Sequence, residues 1–161
     1  MSRADARINL ILDEVVRTLK GIDGDPDLWL TAPKTVKRWS ADPLNEPLPA
    51  LFVRGREWGP NAPQTGLQHD GQGVVGVECV CRYGARVDDP ERELHRLCAD
   101  VISAIETNWE LKDATGTQVV AGLHGIHVIE GYEPNVTITA AGYATTVVGF
   151  RVFWPWVAAT P

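Results

Sequence analysis

Apolar residues recur at Ile8, Ile11, Leu12, Val15, Val16 and Leu19, the i, i+3, i+4, i+7, i+8, i+11 spacing of one face of an amphipathic helix. Ser2 can cap the start of that helix, with Asp5 favouring the positive end of its dipole. Gly21 can supply the left-handed residue that ends it. A second stripe, Leu94, Leu97, Cys98, Val101, Ile102 and Ile105, follows D-D-P-E, in which Asp89 is a good N-cap, Pro90 suits the first helical position and Glu91 favours the dipole. Two helices are therefore predicted, each with one face to bury.

Elsewhere the period drops to two. In V-V-G-V-E-C-V-C-R-Y-G, alternation sets Val75, Val77, Cys79, Cys81 and Tyr83 on one face and Glu78, Val80 and Arg82 on the other, as in a strand with one buried face. Short strands are expected at 35–39 and 49–54, separated by a proline-rich A-D-P-L-N-E-P-L-P that cannot pair continuously because proline lacks the amide donor. The run 125–133 reads as a further strand, and N-V-T-I-T-A-A-G as an extension into a hairpin. A long β-branched and aromatic strand at 144–154 is expected to stop at Pro155. The order helix, two strands, long loop, strand, helix, strand, strand predicts an α+β fold: a largely antiparallel β-sheet with two main α-helices packed on one face. A chain of 161 residues fits one such domain.

Between the strands, residues 55–73 read G-R-E-W-G-P-N-A-P-Q-T-G-L-Q-H-D-G-Q-G, rich in Gly, Pro, Gln and Asn and without a hydrophobic period. This is a long loop or an open hairpin. Connections of that length in a compact domain tend to carry contacts or to be mobile insertions.

The residues that suggest chemistry are few. Cys79, Cys81, His95 and Cys98 together have the composition of a Cys3His zinc centre, yet the C-x-C lies in mid-strand, without the turn-borne C-x2-4-C spacing that zinc requires. Each thiol occupies a slot on an apolar face, where free cysteine behaves as a small hydrophobe. His124 and His127 are three apart on an expected strand and point to opposite faces, which argues against one shared metal. There is no G-x-S-x-G, P-loop, H-E-x-x-H or G-x-G-x-x-G. No catalytic residue, metal or cofactor is expected. The triplet Asn135-Val136-Thr137 reads as an accidental glycosylation signal in a chain whose charged start lacks a signal peptide's apolar core. Fifteen basic residues against 21 acidic ones give a net charge of −6, the sign that repels nucleic acid and anionic lipid, and no apolar run approaches a membrane span. A reduced, cytoplasmic setting and no membrane partner are expected.

The layout resembles the tail terminator (tail-completion) proteins of long non-contractile phage tails over nearly the whole chain. The resemblance lies in the N-terminal amphipathic helix, a P-A-L-F-V strand after a proline-rich approach, and the long loop. It continues through V-V-G-V-E-C-V-C-R-Y, a helix opened by D-D-P-E-R-E, and a terminal T-T-V-V-G-F-R-V-F-W strand. It implies a structural virion protein at the tail/neck junction, made in the bacterial host cytoplasm. Such a protein forms a homohexameric ring on the last ring of the tail tube protein and presents a surface to the head–tail connector proteins, while DNA passes through its lumen without specific binding. The family carries no catalytic residues. The Trp-rich end F-W-P-W-V-A-A-T-P and the 55–73 segment depart from the simplest pattern. Aromatic enrichment at interface centres makes Trp58 and Trp156 candidate contacts, with Arg56, Glu57, Asn61, Gln64, Gln68, His69 and Asp70 as polar candidates around them. Two alternatives stand beside this reading: another neck ring, such as a head–tail connector or head-closure protein, and a small cytosolic enzyme using Cys98 and His95.

Overall fold

The computed structural model describes residues 3–39, 45–60, 68–83, 89–129, 136–139 and 142–157. Along the chain lie α1 (Arg3–Leu19), β1 (Thr35–Arg38), β2 (Ala50–Pro60), β3 (Gln68–Arg82), α2 (Pro90–Thr107), β4 (Gly125–Val128), β5 (Thr137–Ile138) and β6 (Tyr143–Val157). The six strands form one sheet in the order β1-β2-β3-β6-β4, and β5 also pairs with β6. Among the described residues β1 and β2 run parallel and every other strand pairing is antiparallel. The α+β class expected from the hydrophobic pattern is therefore what the chain adopts.

Both helical stripes reach the same side of the sheet. Ile11, Leu12, Val15 and Leu19 of α1 and Leu94, Leu97, Cys98, Val101 and Ile105 of α2 join one buried cluster with Leu51, Val53, Val75, Val77, Cys79, Cys81, Val148, Val152 and Trp154. Asp89 caps α2 as expected, accepting from Arg92 N at 3.0 Å, with Pro90 at the first turn. The expected cap at Ser2 lies outside the described residues. Gly21 does not end α1 in the left-handed conformation; the helix closes through tight turns, Gly21 N to Thr18 O and Ile22 N to Leu19 O at 3.1 Å each, and the left-handed residue is Gly24, φ 86°.

The buried Glu14 and the half-buried Asn108 join the helices to their loops. Glu14, 5% exposed, accepts from Arg17 Nε at 2.9 Å and from Asn108 Nδ2 at 3.1 Å. Asn108 also donates to Thr18 Oγ1 and Lys112 O and accepts from Lys112 N, so that one amide ties both helix C-termini to the following turn. Buried polar groups are tolerated when satisfied in this way.

Segment 55–73 takes the second of its two expected forms, an open hairpin: β2 runs on to Pro60 and β3 begins at Gln68, which leaves 61–67 outside the described residues. Three other strand expectations change. Pro155 does not stop β6, which continues to Val157. The register with β4 ends at Phe153, so Pro155 lies where β6 pairs with β3 alone, and a residue without an amide donor is tolerated on such an edge. Val80, expected on the polar face, is buried there in a small second cluster with Leu48, Ala50 and Phe52, against which Tyr143 packs. Tyr83, expected on the buried face, follows the last β3 residue and is 47% exposed. The hairpin suggested by N-V-T-I-T-A-A-G forms: β5 pairs with the start of β6, Thr137 opposite Thr145.

Candidate interface

The residues that suggested metal or nucleophile chemistry are dispersed or buried. Cys79 and Cys98 face each other with their sulfurs 3.9 Å apart, and Cys81 Sγ lies 3.8 Å from Pro90 O. All three thiols are buried and free. The contact with Cys98 and complete burial push the Cys79 thiol well up, and burial, with a lesser push from Glu93, takes Cys81 up to about 11. His95 is on the exposed side of α2, where its Nε2 lies 3.9 Å from Glu91, and it makes no hydrogen bond with Cys98. Among the described residues no group of three or more His, Cys, Asp or Glu could hold a metal ion. His127 stacks on Trp109, ring centroids 5.8 Å apart, and both His124 and His127 are exposed.

The hairpin arm is built around a β-bulge. Arg56 pairs with Val74 and Gly59 with Gln72, so Glu57 and Trp58 together oppose Gly73. Glu57 takes φ 53°, the left-handed position that glycine usually fills in such a bulge. The extra residue turns Trp58 to the helix-covered side. There its indole packs against the main core and lies 5.3 Å from the ring of Trp154, tilted by 44°. Gly55 and Gly73 form the floor beneath the indole: a Cβ at either position would come within 2.1 Å of the ring. The glycines that look like loop punctuation in the sequence are there to admit an aromatic ring.

Trp58 is thus a half-buried strand residue, not the tip of a loop. Arg56, expected beside it, projects from the opposite face, because it precedes the bulge and alternates with inward-facing Gly55. Arg56 and Glu57 are exposed. Gln68, His69, Asp70 and Trp156 lie in the β3–β6 ladder by their backbones, with His69 opposite Trp156; their side chains lie outside the described structure, as do Asn61 and Gln64 altogether.

Sequence reasoning missed the face of the sheet away from the helices. Arg56, Val74, Arg151 and His127 form one row across four strands through the registers Arg56↔Val74, Val74↔Arg151 and His127↔Arg151. Arg54 and Arg82 share this face, and Arg54 lies along Gly76, its Cγ 3.7 Å from where a Cβ would stand. None of these four arginines has an ion-pair partner among the described residues. Beside the row is a shallow depression of about 70 Å³ lined by Glu57, Gln72, Gly73, Val74 and Arg151. The signal was present as arginines at polar positions of alternating strands, but it becomes a surface only once the register is known.

No protein-family model matches the chain, and no curated protein matches it. No helix among the described residues is long and apolar enough to cross a membrane.

Proposed function

We propose that this chain is a structural protein of a long non-contractile phage tail, forming a ring that caps the tail tube and joins it to the head connector. The observation that supports the reading most is the order of elements: an amphipathic helix, the strand β1, the hairpin of β2 and β3, the second helix and a long final strand, the layout on which the resemblance to tail terminators rests. A sheet with one face covered by helices and the other lined by arginines that have no ion-pair partner among the described residues suits a subunit whose work is contact. In this role the acidic balance of the chain keeps passing DNA from adhering, by like-charge repulsion.

The hairpin arm is the proposed docking element, with Arg56 and Glu57 as its exposed polar contacts and Trp58 fixing its base to the core. Replacing 61–67 with a tight turn should leave the monomer folded, because β2 and β3 keep their pairing, while tails assembled with the variant miss their proper length or fail to join heads. Normal tails from that variant would remove the hairpin tip from the interface. Retention of the chain on portal or adaptor protein instead of tail tubes would favour the second reading, a head–tail connector or head-closure ring of the same neck.

A further inference from the structure

We infer that the open sheet face is a docking surface for a second copy of this chain, whose acidic turn between α1 and β1 provides the complementary surface; the inference rests on the ring-forming reading above. The turn, D-G-D-P-D-L-W-L, carries Asp23, Asp25 and Asp27, all exposed, next to Leu28 and Leu30, which are 70% and 63% exposed. The exposed lysines nearest in sequence, Lys20 and Lys34, stand outside the segment at its two ends.

The turn is held in one shape. Asp25 N donates to Asp23 Oδ1 and Asp27 N to Asp25 Oδ1, each at 3.0 Å, while Leu28 N and Trp29 N both donate to Asp25 O. Trp29 packs against the core, and the next residues are fastened to α2 by Asp100, 3% exposed, which accepts from Leu30 N at 3.0 Å, Thr31 N at 2.8 Å and Thr31 Oγ1 at 2.5 Å. Two leucines and three carboxylates are thus presented in a fixed arrangement, with the ordering entropy of the segment already spent in folding.

The sheet face offers the counterpart. Among the described side chains, four arginines stand there against the carboxylates Glu57 and Glu78, and they alternate with the half-buried apolar residues Val74, Val147 and Phe153. In a chain of net charge −6 this is a local excess of the opposite sign, interleaved with apolar surface that the leucines can cover. The turn belongs to the helical side and the arginines to the other, so the contact joins two different surfaces of identical chains. Heterologous contacts of that kind propagate, and they close into a ring when the rotation allows.

The test uses the purified full chain and two double variants, Asp25→Lys with Asp27→Lys, and Arg56→Glu with Arg151→Glu, each checked for a native circular-dichroism spectrum. Sedimentation should show self-association of the wild type that weakens at about 0.5 M salt and is at least about tenfold weaker in either variant alone. Mixed one to one, the variants should recover the association of the wild type in alternating order, because the reversed turn of one meets the reversed face of the other and the unaltered turn of the second meets the unaltered face of the first. A wild type that stays monomeric at every concentration overturns the contact, and so does a mixture no more associated than its components. Loss of association in the face variant alone would mean that the face takes a different acidic surface, which removes the turn. Binding to tail tubes is scored on the same samples. Tube binding that neither variant disturbs sinks the contact and leaves the tail reading standing, whereas self-association that behaves as expected without any tube binding does the reverse.

Discussion

The two faces of the sheet are built by different rules from the same strands. On the helix-covered face nearly every position is apolar and filled, down to the glycines that make room for Trp58. On the other, a small cluster around Phe52 gives way within one cross-strand row to arginines, glycines and half-buried valines. A side chain on the first face answers to packing density and is costly to alter. The arginines of the second have no ion-pair partner among the described residues, so their identity reports on what the molecule meets.

Substitutions sort along that contrast. The largest effect is expected from Ile11→Asp, which places an unpaired charge at a fully buried position; a loss of more than about 4 kcal/mol, read by urea denaturation, would leave the chain largely unfolded. Native-like stability of this variant would mean that the stripe is not buried. Asp100→Ala comes next, since it removes the buried acceptor shared by the Leu30 and Thr31 donors, and should cost about 1–3 kcal/mol, with faster amide exchange confined to the turn before β1. Gly73→Ala should cost about 1–3 kcal/mol by pushing the Trp58 ring off Trp154, with a shift in tryptophan fluorescence as its signature.

A smaller effect concerns pH. Because Cys81 keeps its proton in the fold up to about 11 while the unfolded chain loses it near the ordinary thiol value of 9, unfolding is favoured as pH rises between those limits. Denaturation midpoints should therefore fall from pH 9 to 11, and less steeply in Cys81→Ala. The smallest change is expected on the open face. Arg56→Ala and Arg151→Ala should each move the melting free energy by no more than about 0.5 kcal/mol, and a larger loss would show that the arginines support the fold.

How much of this was legible in the sequence follows the same division. The helical stripes and the alternation of β3 carry their own periods, so the buried face could be read residue by residue. Val80 and Phe52 escaped because a cluster on the nominally polar face has no period of its own. Asp100 could have been found: it lies on the helical stripe between Leu97 and Val101, where an acid needs partners. The hairpin arm was harder. Its glycines and prolines carry the composition of a loop, and the reason for two of those glycines is an indole that reaches them only after a bulge has changed the strand's alternation. The arginine row depends on pairings between residues up to 77 positions apart, Val74 with Arg151, which no local pattern encodes.

Glu57 has a consequence for how this chain should compare with its evolutionary relatives. It is the surplus residue of the bulge, and without it Trp58 would still stand opposite Gly73 and Gly59 opposite Gln72. Loss of one codon at that point would regularise the strand and leave the rest of the ladder in register. A one-residue gap in an alignment of this strand belongs at position 57, whereas a gap at 52 or 54 would turn one run of core side chains toward solvent. Length variation at this site therefore marks tolerated drift, and the same variation two turns of the pleat earlier would mark a different fold.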